Sequence, residues 1–177
     1  MITRHRGVGR SRALATFGHA AHDLGLAAWF GGASMGAVGL NTATREVDDP
    51  TQRIRVANAG WFRWAPLTAL AIGAHLVGVV LTARESGTAL LGRDDLLATL
   101  RSVATGVAIG ATIESGRSGR QVIAGGDVPT ATAVVPISDT PTDVAAAMRR
   151  LRVVQWIMPL ATGAVWILNA AQAARRV

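Results

Sequence analysis

The chain has 177 residues, is 50% hydrophobic with a net charge of +7, and contains neither Cys nor Tyr; its mean hydropathy is +0.32. The absence of Cys excludes disulfides, thiolate metal sites, haem thioether links and a cysteine nucleophile. All 18 basic residues are Arg, yet no basic run is interleaved with aromatics. Nucleic acid is therefore excluded as a partner, and Arg at helix ends meeting anionic lipid head groups accounts for the charge.

Four apolar stretches dominate the chain: Ala13–Ala43, Trp64–Ala83, Leu96–Ile113 and Val153–Ala174. A bilayer core of about 30 Å needs about 20 helical residues to cross it, and each stretch meets that need, the third only just. Trp64–Ala83 carries no Asp, Glu, Lys or Arg at all, a pattern of membrane spans and not of soluble amphipathic helices. The reading is an all-α, four-span integral membrane protein of the plasma membrane, folded as a four-helix bundle, with a long polar connector between helices 3 and 4. Arg4, Arg6, Arg10 and Arg12 precede the first stretch as in a signal peptide. The apolar run is about twice an h-region of 7–15 residues, so a retained first helix is expected.

The connectors follow in order. Thr44–Arg63 is polar with one Pro, and Arg84–Asp95 is short. The third, Glu114–Arg152, contains Gly116, Gly119, Gly125, Gly126 and Pro129, breakers that oppose a long helix. Within it, Val128–Ser138 is β-prone with two prolines, suiting an extended strap, and Gly125-Gly126-Asp127 suits a hairpin turn. Thr140, Pro141 and Asp143 read as a cap, a first-turn proline and a dipole-matched acid, so the fourth helix is expected to begin near Pro141. Pro159 lies within it. The apolar Val122, Ile123, Val134, Val135 and Ile137 should pull the connector onto Trp61, Trp64 and Trp156, or onto another subunit.

With four spans, both termini share one side. Nine Arg then fall on each side, so the positive-inside rule ties; the first helix usually dominates, which favours cytoplasmic termini. Gly32–Gly36 and Gly106–Gly110 are both Gly-x-x-x-Gly, a spacing that lets helices approach closely. They serve either intramolecular packing or contacts with a second copy or other membrane subunits.

Ionisable groups inside lipid are costly, and this chain places His19, His22 and Asp23 in the first span, His75 in the second and Arg101 in the third. Asn169 and Gln172 add polar groups to the fourth. At 1.5 Å per residue, His22 and His75 both lie about 12–14 Å from the same surface. Three readings stay open. One is a structural polar cluster of His19, Asp23, His75 and Asn169. A second is a b-type haem held by His75 with His22 or His19. A third is a quinone or proton site with Arg101 orienting a polar head group. No Gly-x-Ser-x-Gly elbow, His-Glu-x-x-His or phosphate loop is present, so a non-enzymatic accessory subunit of a larger membrane complex is the leading reading, ahead of a redox or proton-linked protein.

The runs His22–Asn41 and Arg55–Pro66, with the Thr-Pro, Asp-Val-Ala, Arg-rich and Gln-Trp order of Asp139–Pro159, resemble small actinobacterial membrane proteins with no assigned function. The resemblance implies four spans and an actinobacterial source, and it implies no site residues. The Arg-for-Lys bias and the Ala, Gly and Val enrichment of a GC-rich genome agree with that source.

Overall fold

The computed structural model describes residues 3–86 and 96–174. Its helices are α1 (Thr3–Met35), the three-residue α2 (Asn41–Ala43), α3 (Arg53–Ser86), α4 (Leu96–Ala124) and α5 (Thr142–Ala174), and the four long ones make up almost all of it. The all-α expectation holds. Three of them, Arg53–Arg84, Leu96–Ala124 and Thr142–Ala174, are long and apolar enough to cross a membrane. Among the described residues α1 does not reach that apolarity, because His19, His22 and Asp23 dilute it. The expectations for Arg4, Arg6, Arg10, Arg93, Arg175 and Arg176, and for most of the connector Arg84–Asp95, lie outside the described residues or side chains.

The first expected stretch ran to Ala43, and helical backbone does continue there. After Met35 the chain widens into a π-turn at Gly36–Leu40, where the Asn41 N–H reaches back to the Gly36 carbonyl. Helix α2 and a 3-10 turn at Thr44–Glu46 come next. Val47 turns extended and ends the run. Asp49 then nucleates the next helix: its carboxylate accepts from the Thr51 N–H at 2.9 Å, the Thr51 hydroxyl at 2.7 Å and the Gln52 amide at 3.1 Å. The Thr51 hydroxyl, foremost among these, holds the Asp49 carboxyl below its ordinary value.

One expectation about the third connector is corrected. Gly116 and Gly119 do not break a helix; α4 runs through both to Ala124. Glycine weakens a helix by only about 1 kcal/mol, and the packing of α4 along α5 outweighs that local preference. The connector is therefore confined to residues 125–141, much shorter than Glu114–Arg152. Gly126, at φ 76°, ends α4, so Gly125-Gly126-Asp127 is a helix stop. The hairpin turns instead at Ala133 and Val134, between β1 (Thr130–Thr132) and β2 (Val135–Pro136), which pair antiparallel. The hairpin tip packs on Ala57 and Trp61. Val122 and Val134 are buried, whereas Ile123 and Ile137 stay exposed. The fourth long helix begins at Thr142, as its capping residues imply.

The strap is pinned by polar bonds as well as apolar contact. The Arg53 guanidinium donates to the carbonyls of Thr130 at 2.8 Å and Ala131 at 3.2 Å, and to that of Val47 at 3.0 Å. The Ala133 N–H donates to the Thr44 hydroxyl at 2.9 Å, and the Thr140 hydroxyl donates to the Pro129 carbonyl at 2.7 Å.

Helix α1 packs along α3, α4 along α5, and α1 also along α5, while α3 and α4 barely meet. The α1–α3 seam is antiparallel and built on glycine. Gly18, Gly25 and Gly32, seven apart, face Leu81, Ala71 with His75, and Trp64, and Gly36 faces Trp61. A Cβ at Gly25 would fall 2.5 Å from both the Ala71 carbonyl oxygen and the His75 nitrogen. These are backbone atoms and cannot yield. The Gly32–Gly36 spacing is thus spent inside the molecule, on the indoles of Trp64 and Trp61. Gly106 and Gly110 have nothing within 4 Å of a would-be Cβ.

The contrast is measurable. Gly25→Ala is expected to destabilise the protein by roughly 1–3 kcal/mol through overpacking. Gly106→Ala is expected to be neutral or stabilising by up to about 1 kcal/mol through helix propensity. Thermal unfolding in detergent micelles checks both; equal Tm values for the two variants would show that the seam is not close-packed.

Candidate functional site

The close approach of α1 and α3 brings the predicted histidines together. Gly25 sits opposite the His75 backbone and Gly78 opposite the His22 backbone, so nothing but hydrogen separates the two chains there. The His22 and His75 rings contact at a centroid distance of 4.6 Å, tilted by 45°. Trp29 approaches His75 edge-on at 6.2 Å. His75 is 0% exposed, and neither of its ring nitrogens has a hydrogen-bond partner among the described residues. Leaving such a group unpaired costs about 1–3 kcal/mol, so the ring is a local liability in stability.

The expected partner of Asp23 is corrected. His19 is exposed on the outer face of α1, and Asp23 pairs with His22 at 2.9 Å instead. The Asp23 side chain is 72% exposed and that of His22 12%. The result is a short series from an exposed carboxylate, through a half-shielded imidazole, to a buried one.

Asn169 does not join this group. Arg101 on α4 donates to the Gln172 side-chain oxygen at 2.7 Å and to that of Asn169 at 3.4 Å, which ties α4 to α5. The single cluster expected from His19, Asp23, His75 and Asn169 is therefore divided. The division follows from the packing, because His75 faces α1 while Asn169 faces α4.

These positions do not fit a haem. Two axial imidazoles hold the iron and its macrocycle between them, whereas these two rings are in direct contact and His19 points outward. Neither His22 nor His75 lines the groove or the outer hollow between α3 and α4.

A third polar group, which no spacing in the sequence announces, lies toward the other end of the bundle. The Asn41 amide donates to the Gln155 side-chain oxygen at 2.9 Å, and the Trp61 indole N–H donates to the Asn41 side-chain oxygen at 2.9 Å. Asn41 and Gln155 are 4% and 8% exposed. The group joins the end of α1 to α3 and α5. The available signal was a lone amide in each of two apolar neighbourhoods, Gly39-Leu40-Asn41 and Val153-Val154-Gln155.

Beside this polar group, the gap between α3 and α4 forms a groove of about 440 Å³, within the range of roughly 300–1,000 Å³ common for small-ligand sites. Its walls are mostly small: Ala65 and Ala69 on α3, Gly116 and Gly119 on α4. Ala133 and Val134 of the strap contribute to the lining. The Trp29 indole N–H donates to the Thr112 hydroxyl at 3.2 Å beneath it. Phe62 on the open edge is 80% exposed, so the groove opens sideways.

Among the described residues no group of three or more His, Cys, Asp or Glu is placed to hold a metal ion. No protein-family model matches the chain, and no curated protein or solved structure matches it.

The histidine contact has a direct optical test, because Trp29 is an adjacent reporter. Lowering the pH from about 8 to about 4 is expected to quench part of the tryptophan fluorescence as the pair gains charge beside Trp29. The step should vanish in His22→Phe and in His75→Phe. An identical profile in all three proteins would show that protons do not reach the pair.

Proposed function

We propose that the chain is a four-span membrane protein of the plasma membrane that serves, without catalysis of its own, as an accessory subunit within a larger membrane assembly. Placing α1 in the bilayer rests on its seam with α3. The contacts run from Gly18 to Gly36, about 27 Å at 1.5 Å per residue, which approximates the thickness of the hydrocarbon core. A helix held that closely to a spanning helix over that length shares its solvent. With an even number of spans both termini lie on one side, and the cytoplasmic side is the proposed one.

The observation that carries the accessory reading is the outer face of α4. Of the two Gly-x-x-x-Gly spacings, Gly32–Gly36 is filled by indoles, while Gly106 and Gly110 meet open space. Val103, Val107 and Ile113 flank them, each about half exposed. Another helix can approach such a surface closely, gaining dispersion contacts that lipid tails do not match. The occupant proposed is a helix of a different membrane protein, because the intrachain bundle already uses its own self-complementary seam.

Two experiments test this. The chain has no native Cys, so single cysteines report sidedness cleanly: cysteines replacing Asp48 and Asp127 should label from one side and one replacing Arg12 from the other. Labelling of Asp48 and Arg12 positions from the same side would remove the first span. Separately, Gly106→Leu with Gly110→Leu should abolish copurification of partner proteins from native membranes while leaving folding and insertion intact. Unchanged copurification would remove this face from the reading.

A second reading is favoured by the series Asp23, His22 and His75, which leads from the outer face of α1 into the bundle. It makes the protein proton-responsive, with protonation of the pair bearing on the α1–α3 seam. The tryptophan pH profile decides it.

A further inference from the structure

Small residues have two opposite outcomes in this fold. Along α1 and α3 they bring helices into backbone contact. Along α3 and α4 they face each other across a gap: Ala65 and Ala69 on one side, Gly116 and Gly119 on the other. Two such faces would ordinarily close together. Here they are held apart. At one end Ile54 and Val122 belong to one buried cluster with Met148. At the other, Ala71 and Ala108 share a buried cluster with Trp29. Between these two struts the Asn41–Gln155–Trp61 group fixes the back wall. The space is thus a built cavity in an otherwise ordinary four-helix arrangement, and a dry apolar gap of this size forfeits the dispersion contacts of every atom lining it.

The groove's chemistry changes along its length. Its inner part, by Ala69 and Ile72, is apolar. Toward the strap it reaches Asn58 and Arg120. There it shares Ile54, Asn58, Phe62 and Ile123 with a second, outer hollow of about 360 Å³ that is also lined by Arg55 and Asp127. Arg55 and Asp127 are 3.9 Å apart and both well exposed, a loose pair that leaves either free to bind elsewhere. With Arg120 present, the charged groups at this mouth are two cations and one anion. The mouth lies at the strap end, where the helices leave the apolar layer.

We propose that the α3–α4 groove binds one chain of an anionic membrane phospholipid, with the tail between the small residues of α3 and α4 and the phosphate at Arg120, Arg55 and Asn58. An apolar slot open sideways to the bilayer admits a tail without exposing it to water. A net positive mouth at head-group depth selects lipids whose head group is negative. The site is built from Gly116, Gly119 and Arg120, which the accessory reading does not use, so it rests on the membrane reading proposed above and not on the accessory one.

Glycine makes the test clean. A Cβ added at Gly119 meets nothing within 4 Å, and one at Gly116 meets only the far end of Arg120 at 3.9 Å. Gly116→Leu with Gly119→Leu should therefore fill the groove without disturbing the fold, and it improves helix propensity. The full-length protein is extracted from vesicles containing equal phosphatidylglycerol and phosphatidylcholine, and its retained lipid is measured by native mass spectrometry. One retained lipid is expected, enriched in phosphatidylglycerol. Arg120→Gln should keep the lipid but lower the preference by about fivefold, the share one Arg contributes at a charged membrane surface. The double leucine variant should lose the lipid while keeping its helical circular dichroism and Tm. Retention with no head-group preference, or retention undiminished in the double leucine variant, would overturn the proposal. A double leucine variant that unfolds would overturn it too, because it would show that the space is not open; Ala65→Leu on the facing helix then gives an independent measure of filling.

Discussion

Backbone-to-backbone contact between α1 and α3 is the constraint on which the other features rest. Gly25 and Gly78 let two helices approach until a single methyl group would collide with a carbonyl oxygen. That approach sets the distance between His22 and His75, brings Trp61 and Trp64 over Gly36 and Gly32, and positions Asn41 to bridge three helices. Few large apolar side chains are fully buried here; Trp29, Leu26 and Met148 are the largest. In a chain so rich in alanine and glycine, cohesion comes from many close contacts of small groups and from hydrogen bonds between buried side chains.

The π-turn at Gly36–Leu40 shows how the seam and the polar group depend on each other. A regular α-helix would rotate Asn41 away from its present direction, since each residue advances the helix by a fixed angle. One extra residue per turn at Gly36 resets that phase. Asn41 then faces Gln155 and Trp61, and Thr44, three residues on, faces the strap and receives the Ala133 N–H. The strap's position over the groove thus traces to a widening of the first helix at the glycine where Trp61 sits.

Much of this was legible in the sequence where a one-dimensional rule applied. The apolar stretches located the three helices long and apolar enough to cross a membrane. Counting residues at 1.5 Å each placed His22 and His75 at one depth, and antiparallel packing made depth equivalent to proximity. Thr140, Pro141 and Asp143 marked the start of α5. Features that depend on partners distant in the chain were not legible. Asn41 and Gln155 are 114 positions apart, and nothing local marks either as bonded. Asp23 could reach His19 or His22 by spacing alone, and the packing of α3 decided between them. Gly116 and Gly119 read as breakers because that rule weighs local preference and not packing along α5, and Gly125-Gly126-Asp127 read as a hairpin turn because a positive-φ glycine ends helices and turns hairpins alike.

Burying His75 with no partner runs against the economy of the rest of the bundle, where buried polar atoms are mostly bonded. A phenylalanine would fill similar space between Trp29 and His22 without unpaired nitrogens. The glycine seam offers a physical reason to look at protons: the contact of His22 and His75 is possible only because Gly25 and Gly78 remove the side chains that would separate them. Charging one ring would place a cation against its neighbour inside the tightest interface in the molecule. A charge on either ring would therefore fall on the interface that organises the fold.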